Sequence, residues 1–139
     1  MRCIVSSKPR RKVVSRLSFD DIPEFGQVPR PDYLLLLDDG EIVIVEETGR
    51  PEFRDLKRVI DTVVMLKEGR LSLPYHITPF RITGVVHYRR KDTTFGKHLS
   101  SQQKRLWEKY GIRLLGVSCE RDLQQRLRIA SRKANRWSR

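Results

Sequence analysis

Asparagine occurs once in this chain, at position 135, and cysteine twice, at positions 3 and 119. Two thiols so far apart lack the close pairing of a zinc ribbon or a redox dithiol, so they imply neither a structural metal nor a disulfide. They read as reduced cysteines, with Cys119 partly buried. His76, His87 and His98 likewise have no metal-ligand spacing. No apolar run approaches the roughly 20 residues of a membrane helix, and no signal-type stretch follows the basic start. These absences predict a soluble, cytoplasmic protein with no membrane partner. A phosphate-cradling loop is missing too: VEETGRPE has neither G-x-G-x-x-G nor G-x-x-x-x-G-K spacing, which argues against a nucleotide cofactor.

Acids are scarce, with 17 against 29 basic residues and a formal net charge of +12. The imbalance is local. Residues 1–16 carry six basic side chains and no acid, residues 89–109 seven against two, and residues 120–139 seven against two again. Residues 30–70 reverse the balance, with seven basic against ten acidic. A basic surface around a mildly acidic centre suits a polyanion, and nucleic acid is the expected partner. Arginine supplies 20 of the 29 cations, and its planar fork fits phosphate and stacks on bases. The same arginine excess, with the single asparagine, also fits a heat-adapted proteome.

A length of 139 residues suits one domain. Residues 1–30 read as a basic arm, with a strand near Lys12–Leu17, followed by a Pro-rich loop; the ordered domain is expected over 31–139, starting at Asp32. Tyr33–Leu37 and Glu41–Val45 are apolar runs separated by Asp38-Asp39-Gly40, and Asp-Gly supplies the positive φ angles of a tight hairpin. The unbroken LLLL predicts a strand covered on both faces. From Pro51 to Gly69, Phe53, Leu56, Val59, Ile60, Val63 and Leu66 recur at helical spacing. RITGVVHYRR predicts a strand. A helix opened by Ser100, with Gln103 in the capping-box position, should close at Gly111. IRLLGVSC predicts a further strand, and Ser118 opens a last helix to about Arg136. There Leu123, Leu127, Ala130, Ala134 and Trp137 form a stripe that packs on the domain's own sheet or, in the sharper reading, makes a homodimer seam. The order predicts an α/β fold: one domain with a mixed β-sheet and flanking helices.

PD at 31–32, a hairpin, and EET at 46–48 before a helix resemble the PD-(D/E)xK nuclease core, which implies a restriction-endonuclease-like layout. The resemblance places Mg²⁺ on Asp32 and Glu46, and puts Thr48 where the family has its lysine. With Glu47 as the second acid, the lysine position falls on Gly49. A cation on the following helix could substitute, with Arg50, Arg54 and Lys57 as candidates, although arginine holds its proton too tightly to act as a base. A structural role for the acids is equally open, with Glu47 or Glu52 near a helix start where the dipole favours negative charge.

The small basic α/β chain, the EETGRP hairpin end and the C-terminal helix also resemble ThermoDBP, an archaeal family that binds single-stranded DNA. That resemblance implies a non-catalytic protein without cofactor, preferring single-stranded DNA to duplex or RNA. Tyr75, Phe80, Tyr88, Phe95 and Trp107 are interleaved with Arg81, Arg89, Arg90, Lys91 and Lys97. Residues 87–98 are the favoured stacking segment, because a strand end running into a loop keeps Tyr88 and Phe95 near solvent, whereas Trp107 and Tyr110 on a helix read as core. Arg10, Arg11 and Lys12 in the arm complete the expected interface. The enzyme alternative uses Asp32, Glu46 and Lys57 with Mg²⁺. A third alternative is an adaptor in a DNA- or RNA-processing complex.

Overall fold

A computed structural model describes residues 10–21, 30–71, 73, 81–90 and 92–129. The protein is α/β; the described residues form one five-stranded mixed sheet and three α-helices. Strands β1 (Val13–Ser18), β2 (Tyr33–Leu37), β3 (Ile42–Thr48), β4 (Ile82–Tyr88) and β5 (Arg113–Val117) lie side by side in chain order. β1–β2 and β2–β3 pair antiparallel, and β3–β4 and β4–β5 pair parallel. The parallel pairs need crossovers, which α1 (Phe53–Lys67) and α2 (Thr93–Tyr110) provide. A short α3 (Glu120–Leu127) follows β5. Among the described residues, no helix is long and apolar enough to cross a membrane.

Side chains alternate across a strand, so each strand feeds two cores. On one face Leu34, Ile44 and Val86 meet Leu56, Val59 and Val63 of α1 and Phe95 and Leu106 of α2. On the other, Leu35, Val43, Val45 and Val117 meet Leu123 and Leu127 of α3 and Ile129. The double covering explains the unbroken LLLL of β2. Gly40, at φ 93°, makes the turn between β2 and β3.

Four expectations are corrected. The sheet starts before Asp32: β1 pairs with β2, and Phe19 is fully buried. Helix α2 begins two turns before Ser100, because the Asp92 carboxylate accepts the Phe95 N–H at 3.0 Å and is the stronger N-cap. This places Phe95 in the core, 4% exposed, and Lys97 on a helix rather than a loop. The last helix stops at Leu127: Arg128 takes a left-handed conformation at φ 55°, and the chain turns back so that Ile129 is buried beside Arg11. Leu123 and Leu127 therefore pack on their own sheet, while Ala130, Ala134 and Trp137 lie outside the described residues. Cys119 is exposed rather than partly buried, since it caps α3 with its sulfur accepting the Asp122 N–H at 3.4 Å.

Candidate nucleic-acid interface and the carboxylate cluster

The expected interface residues fall at opposite ends of the sheet. Arg81 precedes β4 and Arg89 follows it, so about 26 Å of extended chain separates them. At the Arg81 end, Glu41 is 1% exposed and is bound by Arg11, by Arg81 at 3.5 Å and by the Thr83 hydroxyl. Arg11 also pairs with Asp39 at 3.0 Å and donates to the Leu127 carbonyl. Burial works against the Arg11 charge, but the Glu41 and Asp39 carboxylates outweigh it and raise its pKa. Arg10 donates to the Ile129 carbonyl at 3.3 Å. Arg10, Arg11 and Arg81 thus tie the first strand, the hairpin and the end of α3 together, while Lys12 is exposed.

At the other end, Arg89 and Arg90 leave β4 exposed, their backbone N–H groups donating to the Gly49 carbonyl at 3.0 Å. Tyr88 is half-buried and meets the Phe95 ring edge-on at 5.8 Å. Lys97 is exposed on α2. The Phe53 ring at the start of α1 meets the His98 ring of α2 at 5.1 Å and a tilt of 56°. Trp107 stands 60% exposed on α2, not in the core, and Tyr110 is half-buried. Lys91, Tyr75 and Phe80 lie outside the described residues.

The acids of the hairpin divide between the two faces. Asp32 and Glu46 share the α1 face, whereas Glu47 lies on the other with Tyr33 and His87, the latter at 3.7 Å. Asp32 accepts the Glu47 N–H at 2.7 Å. Glu46 is 4% exposed, and Arg58 from α1 donates to one of its oxygens at 2.9 Å while its Oε1 has no partner among the described residues. Burial, with the negative charges of Asp32 and Asp55, raises the Glu46 pKa to about 7 against the opposing pull of Arg58. Arg58 also lies 3.5 Å from Asp55, which caps α1 reciprocally with Glu52.

None of the expected cations reaches Glu46. Lys57 pairs with Asp61 at 2.8 Å on the solvent side of α1, Arg54 with Glu52 and Arg50 with Asp92. Thr48 donates to the Arg50 carbonyl. Arg58 was the missed residue, and its signal was position: it borders the apolar stripe of α1, one turn from Asp55 and from the buried Thr62. The donor set fits Mg²⁺ poorly. A hard divalent ion wants free oxygens from several groups; here a guanidinium occupies one oxygen of Glu46 and the Asp32 carboxylate already accepts the Glu47 N–H. Among the described residues, no three His, Cys, Asp or Glu side chains converge to hold a metal ion. No family model, curated protein or solved structure matches the chain.

Proposed function

We propose that this protein binds nucleic acid without cutting it and prefers single strands. The observation that carries the reading is how the charges pair at the carboxyl end of β3 and β4. Glu46, Glu52, Asp55 and Asp92 are each engaged by an arginine of the same chain, while Asp32 and Glu47 remain exposed without one; beside them Arg89 and Arg90, and further along α2 Lys97 and Lys104, are exposed with no ion pair among the described residues. An outward-facing positive field remains beside aromatic rings, and phosphate is the complementary ligand.

If these four cations each neutralise one phosphate, the log–log salt slope for a single strand is about −3, so affinity falls roughly 50-fold between about 50 and 200 mM salt. Gel shifts comparing single-stranded DNA, duplex DNA and RNA, with and without Mg²⁺ or Mn²⁺, test this directly. Binding insensitive to salt sinks the proposal. Metal-dependent cleavage lost in Asp32→Ala and Glu46→Ala would replace it with the nuclease reading.

A further inference from the structure

Trp107 is unusual among the large apolar side chains of the described residues, only three of which are exposed. Val14 sits at the irregularity in β1, and Phe53 is covered in part by His98. The Trp107 indole makes no ring contact or hydrogen bond among the described residues. Gly96, Ser100, Gln103 and Trp107 are spaced i, i+4, i+7 and i+11, so they form one line along α2. Lys97 and Lys104, themselves two turns apart, run beside it. At the start of this line a pocket of about 650 Å³ opens, with Tyr88, Phe95 and Leu99 as its apolar walls and Asp92, Thr93, Gly96, Lys97 and Ser100 completing its lining. A Cβ built on Gly96 would meet nothing within 4 Å, so the helix surface there is open.

We propose that this flank of α2, on the side where Gln103 donates to the Leu114 carbonyl of β5 at 2.9 Å, is the track of a single-stranded nucleic acid, with one base in the Tyr88–Phe95–Leu99 pocket, a neighbouring base stacked on Trp107, and Lys97 and Lys104 on the phosphates between. The proposal rests on the nucleic-acid-binding reading and deepens it. Ser100 and Trp107 are about 10 Å apart along the helix, a span of a few nucleotides rather than many. The pocket takes a flat aromatic group on an apolar floor, and its lining carries both Lys97 and Asp92, the latter paired with Arg50 at 3.5 Å. The track accepts any base, since stacking needs only a π-face.

The test uses the full chain carrying Trp137→Phe, which leaves Trp107 as the sole indole, titrated with short oligothymidylate and oligouridylate. Saturable quenching of Trp107 fluorescence is expected, with a midpoint equal to that from the anisotropy of the same labelled oligonucleotide. Trp107→Ala should weaken binding about 5- to 150-fold, the loss of one stacked base. Trp107→Phe should recover most of it. Gly96→Leu, which fills the pocket while favouring the helix, should also weaken binding. Oligonucleotide binding that leaves Trp107 unquenched and survives Trp107→Ala overturns the track but not the binding reading. Absence of binding to any oligonucleotide overturns both. If Trp107→Ala alters self-association in sedimentation and not oligonucleotide affinity, the indole belongs to a protein interface and the track is wrong.

Discussion

Replacing Glu46 by Gln tests the energetics of the hairpin acids most directly. The carboxyl is ordinarily half-ionised near 4.5 and is raised to about 7 in the folded chain. Between these values the folded state holds a proton that the unfolded state has released, so stability must fall as pH rises through the window. At about 1.4 kcal/mol per pH unit, the loss across it is about 3 kcal/mol. Above pH 7 the loss is complete, and below about 4.5 it is absent. The amide of Glu46→Gln keeps an oxygen for Arg58 and cannot ionise, so the variant should match the wild type at acid pH and exceed it by about 3 kcal/mol at about pH 8. Urea denaturation at intervals between about pH 4 and 8 reads the difference. Asp39 and Asp92 have lowered pKa values and titrate below this window, and subtraction removes every group common to both proteins. A wild-type-minus-variant difference that stays constant with pH would refute the reasoning, because Glu46 would then ionise as it does in the open chain.

Other substitutions probe the scaffold. Arg11→Ala leaves Glu41 buried with only the half-exposed Arg81 and a hydroxyl, and should cost about 3 kcal/mol in urea denaturation, with faster amide exchange at Arg11 and Ile129. Gly84→Ala drives a Cβ to 2.6 Å from a stiff Val59 methyl and should cost about 1–3 kcal/mol. Gly116→Ala meets the movable end of Leu99 at 2.8 Å and should cost less than Gly84→Ala in the same assay.

The regular elements were legible wherever local chemistry and tertiary packing agreed. The Asp-Gly turn, the apolar stripe of α1 and the parallel crossovers all follow from period and length. Boundaries failed where one residue outweighed a pattern. Asp92 starts α2 against the apparent loop character of Thr93, Thr94 and Gly96, and Arg128 ends α3 in a left-handed turn that no glycine announces. The site was harder to read, because burial decides the role of a charged or aromatic residue and burial is a property of the whole fold. Arg11 and Arg89 are equally basic in sequence, yet one is bound to buried Glu41 and the other faces outward. Phe95 and Trp107 exchange their expected places for the same reason: the earlier start of α2 extends the helix that carries both, with Phe95 against the sheet and Trp107 away from it.

Arg58 explains why acids in metal-site positions need not signal metal chemistry. Glu46 sits on a strand buried under α1, where its negative charge needs a neighbouring cation. A lysine at position 48 would have supplied a charge at the strand's open end, whereas Arg58 supplies it from the helix, braced by Asp55, which is itself tied into the capping of α1. The guanidinium stays protonated at any physiological pH, so it neutralises without being able to accept a proton from water. Arg58 is shared between Glu46 and Asp55 while Asp32 has no ion pair among the described residues, so this cluster stays net negative; on α2 and at the end of β4, Arg89, Arg90, Lys97 and Lys104 are exposed without an ion pair. On the proposed reading a polyanion would meet those unpaired cations beside α2, and the hairpin acids would take no part in holding it.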